Sequence, residues 1–186
     1  MLCDSPGRSI DDAAAGVARF LDGRGPAVLV GHSYGCLVAA RVASRHPDRV
    51  AALVFLSPAF DRRFGSVAAQ FARLLVDLPL ERPSFIAAGL RDWWRAGPWR
   101  LLAMAREAAR SPFEEMVAAV RCPVLVVRGG RDPLTTGRWA SELAGRAARG
   151  AVAVVPGAAH GLGHEAPVAV ARAVDRFLAE AGLTRA

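Results

Sequence analysis

One stretch constrains this chain more than any other. Ala27-Val28-Leu29-Val30 runs into Gly31-His32-Ser33-Tyr34-Gly35, and an Ala-rich helical pattern follows at once. Branched apolar residues favour a strand, and the sequence beyond Gly35 favours a helix, so the spacing predicts a strand, a sharp turn and a helix with Ser33 at the apex. This is the G-x-S-x-G pattern in the context that gives it meaning. The flanking glycines are expected to remove side chains that would collide with strand and helix, and the turn to hold Ser33 in a strained backbone conformation. Such a turn lifts a hydroxyl clear of the sheet. It also sets the backbone N–H of Tyr34 at a helix N-terminus, where it can face a developing oxyanion. The plainer alternative is a strand-to-helix turn in which Ser33 only caps the helix.

The rest of the chain repeats the same alternation. Ser9, with Asp11 and Asp12 behind it, predicts a helix start, and Gly23 and Gly25-Pro26 its end. The helix after Ser33 is apolar except for Arg41, Ser44 and Arg45, which predicts burial on most sides. Val50 to Leu56 and Pro123 to Val127 are unbroken apolar runs, as in strands covered on both faces of a parallel sheet. Thr136 can cap a helix with Trp139, Ala140, Leu143 and Ala147 on its apolar side. Val152 to Val155 reads as a further strand, and a last helix starts near Pro167. The expected class is therefore α/β, a mostly parallel open sheet with helices on both faces.

Between Pro58 and Ala118 the pattern changes to short amphipathic pieces broken by Pro79, Pro83, Pro98 and Pro112. Residues 58–118 read as a helical insertion into a core made of 1–57 and 119–186. Trp93, Trp94 and Trp99 read as the insertion's own core; any that line a pocket would make it apolar.

Functional side chains in open parallel sheets collect at the carboxyl ends of the strands. Ser33, Asp132 and His160 all lie just past predicted strand ends, so they are expected to converge. Asp61, after the preceding strand, is the alternative acid. His160 and His164 form H-x-x-x-H, but no carboxylate-bearing helix frames them, so no metal site is expected. His32 reads as a packing residue beside the site.

Composition narrows the partners. The 186 residues carry a net charge of +7, and every one of the 24 basic residues is arginine, scattered rather than clustered. A nucleic-acid footprint needs clustering, so none is expected. Cys3, Cys36 and Cys122 are odd in number and lack a C-x-x-C pair, which suggests reduced thiols in a cytoplasmic protein. No run of about 18 apolar residues predicts a membrane span.

With Gly31-His32-Ser33-Tyr34-Gly35, Arg128-Gly129-Gly130-Arg131-Asp132-Pro133-Leu134 and Pro156-Gly157-Ala158-Ala159-His160-Gly161 in the order serine, acid, histidine, the chain resembles an α/β-hydrolase of the esterase and C–C hydrolase type. That resemblance implies a cofactor-free serine hydrolase acting on an ester, thioester or related acyl bond of a small, apolar substrate. In it Ser33 is nucleophile, His160 base and Asp132 its orienting acid, Tyr34 N–H is an oxyanion donor, and residues 58–118 occupy the lid position. An acyltransferase, a C–C bond hydrolase on the same triad, and a binding module without efficient turnover stay open. The family's fold also implies preceding strands and a His-Gly-rich oxyanion loop, roughly two βαβ units, which these residues do not contain. A partial sheet is therefore expected, with 27–31 at an open edge, apolar surface exposed on the helix at 36–45, and self-association through that edge.

Overall fold

The computed structural model describes residues 9–64 and 66–183. Helix α1 (Ile10–Leu21) leads to strand β1 (Ala27–His32), helix α2 (Tyr34–Arg45) and strand β2 (Val50–Leu56). Four helices follow: α3 (Val67–Asp77), α4 (Pro83–Ala96), α5 (Pro98–Arg110) and α6 (Phe113–Ala118). Strand β3 (Val124–Gly129), helix α7 (Gly137–Arg146), strand β4 (Gly150–Val155), the short helix α8 (Leu162–Glu165) and helix α9 (Pro167–Glu180) complete the order. The four strands form one parallel sheet in the order β1-β2-β3-β4.

Local chemistry accounts for the helix starts. Ser9 and Asp12 make a reciprocal capping box on α1, and Thr136 Oγ1 accepts the Trp139 N–H at the head of α7. Pro167 opens α9, where its missing N–H costs nothing.

The two-residue period of the central strands divides the core into two layers. Leu53 and Phe55 of β2, with Val124 and Val126 of β3, face a cluster completed by Leu37, Val42, Phe113, Val117, Trp139 and Leu143. Ala52, Val54 and Leu56, with Leu125 and Val127, face the opposite cluster with Leu162, Val170 and Phe177. Thus α1, α2, α6 and α7 cover one face, and α8 and α9 the other. The helical segment between β2 and β3 packs in two parts. Helix α6 joins the first core cluster, whereas α3, α4 and α5 supply the walls of a cavity over the end of β1.

Two expectations are corrected. Trp94 and Trp99 are 90% and 82% exposed, and Trp93 lines the cavity, so these rings do not form a core of their own. Phe85, Gly89 and Trp93 recur every four residues on the cavity side of α4, and Leu101, Met104 and Ala105 form the cavity side of α5, so helical spacing of about 100° per residue turns Trp94 and Trp99 away from it. The apolar face of α2 is covered: Cys36, Leu37, Ala39, Ala40, Val42 and Ala43 are buried beneath neighbouring helices and the sheet. β1 is the terminal strand of the described sheet, and Val30 on it is 56% exposed.

Candidate active site

The turn between β1 and α2 holds Ser33 at φ 52° and ψ −115°, a conformation that costs a non-glycine residue of order 1–3 kcal/mol. Gly31 makes the turn possible, because a Cβ there would sit 2.5 Å from the Gly35 carbonyl oxygen. Gly35 differs from expectation: a Cβ on it would meet nothing within 4 Å among the described residues, so only the first glycine is demanded by space. Ser33 occupies the N-cap position of α2 but makes no side-chain capping bond. Its hydroxyl instead lies 3.1 Å from His160 Nε2.

His160 sits in the loop after β4. Gly129, at the end of β3, admits this loop: a Cβ there would overlap the carbonyl groups of Ala158 and Ala159. The His160 Nδ1–H donates to Asp132 Oδ2 at 3.2 Å. Asp132 Oδ1 accepts the N–H groups of Leu134 at 2.8 Å and Thr135 at 3.0 Å. Asp132 therefore does start a turn with Pro133, and the same turn aims its second oxygen at the imidazole. Burial works against the Asp132 charge, but the hydrogen bond and charge of His160 and the Thr135 N–H outweigh it and hold the carboxyl well below the usual range. Burial also works against the His160 cation. The hydrogen bond and charge of Asp132 prevail there, helped by Asp77 and Glu81, and raise its pKa.

The structure brings Ser33, Asp132 and His160 together and leaves the alternatives elsewhere. Asp61 is buried but ion-paired with Arg63 at 2.7 Å, with the Arg63 Nε–H donating to its other oxygen at 2.9 Å. His164 Nε2 lies 2.9 Å from Ser84 Oγ, and no group of three metal-ligating side chains occurs among the described residues. Burial and the neighbouring His160 pull the His32 pKa down to about 4. Neutral His32 donates from Nε2 to the His160 carbonyl at 3.0 Å, so it braces the loop from β1. Tyr34, the first residue of α2, places its hydroxyl 3.0 Å from Glu107 Oε2. Cys36 is buried and free, its S–H donating to the Gly31 carbonyl, and Cys122 is also free; Cys3 lies outside the described residues. No helix among the described residues is long and apolar enough to cross a membrane.

Above Ser33 lies a cavity of about 350 Å³. Its walls are chiefly Phe71 and Leu74 of α3, Phe85 and Trp93 of α4, and Leu101 and Met104 of α5. His32, Ser33, Tyr34 and His160 form its polar floor. Two buried acids beside that floor, Asp77 and Glu81, carry no sequence signal: each stands in an amphipathic stretch where a carboxylate reads as solvent-facing.

A sequence model of the alpha/beta hydrolase family matches residues 3–173. The chain belongs to this family. Among curated members, it is 30% identical to a pimeloyl-[acyl-carrier protein] methyl ester esterase of Neisseria meningitidis serogroup B, over 82% of this chain and 69% of that protein. It is 40% identical to the lipase LipV of Mycobacterium tuberculosis, over 49% of this chain and 34% of the lipase, so that match spans about a third of the relative. A solved structure of a thermophilic esterase from Thermogutta terrifontis superposes with a TM-score of 0.68 at 26% identity, covering 95% of this chain and 75% of that one. This alpha/beta hydrolase thus has esterase-like relatives, and its parallel sheet has the family's architecture.

Proposed function

We propose that this alpha/beta hydrolase cleaves a carboxylic ester, or the corresponding thioester, of an apolar acyl group, with Ser33 as nucleophile, His160 as general base and acid, and Asp132 as the group that orients the histidine. The observation that carries this reading is the unbroken line from Ser33 Oγ through the His160 ring to Asp132 Oδ2, at the floor of an apolar cavity.

The chemistry follows from the hydrogen-bond directions. Asp132 holds the proton of neutral His160 on Nδ1, which leaves the Nε2 lone pair facing the Ser33 hydroxyl. As Oγ attacks the acyl carbon, its proton passes to Nε2, and the buried Asp132 charge stabilises the imidazolium. The Tyr34 backbone N–H, at the N-terminus of α2, serves as an oxyanion donor. Nε2–H then protonates the leaving oxygen or sulfur. Water attacks the acyl-serine with Nε2 again as base, releasing the acid and restoring Ser33. No cofactor enters any step.

A volume near the small end of ligand sites suits one acyl chain or a single ring. The methyl ester esterase among the relatives supports an acyl chain in the cavity and a small alcohol as the leaving group. Hydrolysis of p-nitrophenyl esters from acetate to decanoate, with fluorophosphonate labelling, tests the reading. A single labelled serine that vanishes in Ser33→Ala, together with the turnover, is the expected result. Labelling or turnover that survives Ser33→Ala refutes it.

A further inference from the structure

Asp77 ends α3, and Glu81 follows the 3-10 turn at Leu78–Leu80. They are 2% and 8% exposed. Asp77 Oδ1 accepts the His160 N–H at 3.3 Å, and Glu81 Oε1 accepts the Gly161 N–H at 2.5 Å. One short turn of the helical segment therefore grips two consecutive amides of the histidine loop. Gly161 is shaped for this grip rather than for its backbone angle, since its φ is −76°. A Cβ there would fall 2.6 Å from Glu81 Oε2 and 2.8 Å from the Phe85 ring.

Glu81 Oε2 is buried and has no donor among the protein's ordinary hydrogen bonds. Holding adjacent amides brings the Asp77 and Glu81 carboxyls near enough for each to act on the other. Two carboxylates only accept, so a hydrogen bond between them requires a proton on one. We propose that Asp77 and Glu81 are a proton-sharing carboxyl pair that positions His160 from its backbone and pins the histidine loop to the helices walling the cavity.

With this pair, each polar atom of His160 has a partner. Asp77 accepts from the N–H, His32 donates to the carbonyl, Asp132 holds Nδ1, and Ser33 meets Nε2. The other charged or titratable groups around the pair are directed elsewhere. Glu165 accepts the Ala159 N–H, Arg73 donates to the Pro133 carbonyl, and His164 meets Ser84. Burial, then the charge and hydrogen bond of Glu81, push the Asp77 carboxyl up to about 7 against the opposing charge of His160. In return, Asp77 and Glu81 raise the His160 pKa. The pair thus fixes the histidine from its backbone and adds to the basicity that Asp132 gives it. Its kinetic consequence rests on the hydrolase reading above, whereas its geometry does not.

The test compares Asp77→Ala, Asp77→Asn and Glu81→Gln with the wild-type chain. A loop displaced by about 1 Å costs roughly 10- to 100-fold in rate. Asp77→Ala should therefore lose that much kcat on a p-nitrophenyl ester, with KM little changed. Asp77→Asn keeps an oxygen for the His160 N–H and offers an N–H to Glu81, so it should recover most of the loss. In Asp77→Asn and Glu81→Gln the acid limb of kcat/KM should move to lower pH, which a merely structural residue would not cause. Independently of turnover, the Asp77 carboxyl carbon in a ¹³C spectrum, assigned by its absence from Asp77→Asn, should titrate near pH 7 in the wild type and at lower pH in Glu81→Gln. An unchanged kcat in Asp77→Ala, superimposed profiles of Asp77→Asn and wild type, or an Asp77 carboxyl that titrates in the usual carboxylate range or is unmoved in Glu81→Gln overturns the proposal. If Asp77→Ala does not fold, the two amide variants decide. If the chain turns over no ester, the Asp77 titration decides the pair alone, and only the hydrolase reading falls.

Discussion

Asp132→Asn separates charge from shape at the heart of the site. The side-chain oxygen facing Leu134 and Thr135 accepts two backbone N–H groups, at 2.8 and 3.0 Å. An asparagine must leave its carbonyl oxygen there, because turning its NH₂ towards two donors would bury three unsatisfied groups at about 1–3 kcal/mol each. The NH₂ is thereby forced to face His160 Nδ1 and donates to it. The ring responds by moving its proton to Nε2, the atom 3.1 Å from Ser33 Oγ. That nitrogen then points a hydrogen at the hydroxyl and has no lone pair to receive its proton. The loss in kcat should approach about 10⁴-fold, the size associated with a wrong tautomer in a serine–histidine–aspartate site. Stability changes far less, since the turn and its two N–H bonds persist. The assay is p-nitrophenyl ester turnover near pH 8 beside a thermal melt, with Asp61→Asn as control. Asp61 is held by Arg63 and not by the histidine, so its variant should keep kcat within a few-fold. A folded Asp132→Asn protein that keeps kcat within tenfold of wild type, or an Asp61→Asn variant that proves the more damaged of the two in turnover, refutes the reasoning.

Further consequences are as direct. Gly31→Ala sets a Cβ against the Gly35 backbone, which cannot swing aside as a side chain would, and should cost about 3 kcal/mol in urea unfolding. Two buried groups pull the pH dependence of stability in opposite directions between about pH 4 and 6.5. Asp77 titrates near 3.9 when unfolded and near 7 when folded, so only the native state keeps its proton and stability falls as pH rises. His32 titrates near 6.5 when unfolded and near 4 when folded, so only the unfolded state holds its proton and stability rises by a similar amount. His160, raised above its usual value, adds a loss of stability with rising pH above that window. Melting temperatures should therefore stay nearly level in the wild type from about pH 4 to 6.5 and rise over that window in Asp77→Asn. Val30 lies exposed on the terminal strand β1, and pairing through that edge should appear as concentration-dependent sedimentation that Val30→Lys suppresses. Identical sedimentation of both proteins at all concentrations removes the edge as a self-association site.

The sequence by itself determined whatever depends on short-range pattern. The apolar runs at 50–56 and 124–127 read as buried parallel strands because both faces of those strands are covered. Ser9, Thr136 and Pro167 marked helix starts because capping is settled within a single turn. The order Ser33, Asp132, His160, each past a strand end, was legible because a parallel sheet brings all such ends to one edge. Tertiary structure alone decided what rests on distant packing. It took Asp61 out of reach of the histidine by pairing it with Arg63 and left Trp94 and Trp99 in solvent. It turned Asp77 and Glu81 inward onto a loop some 80 residues away, with the amides of His160 and Gly161 as their partners. A carboxylate on an amphipathic helix has the same local pattern whether it meets water or a buried amide. Only the approach of the second chain segment distinguishes the two, and that approach is a property of the assembled fold.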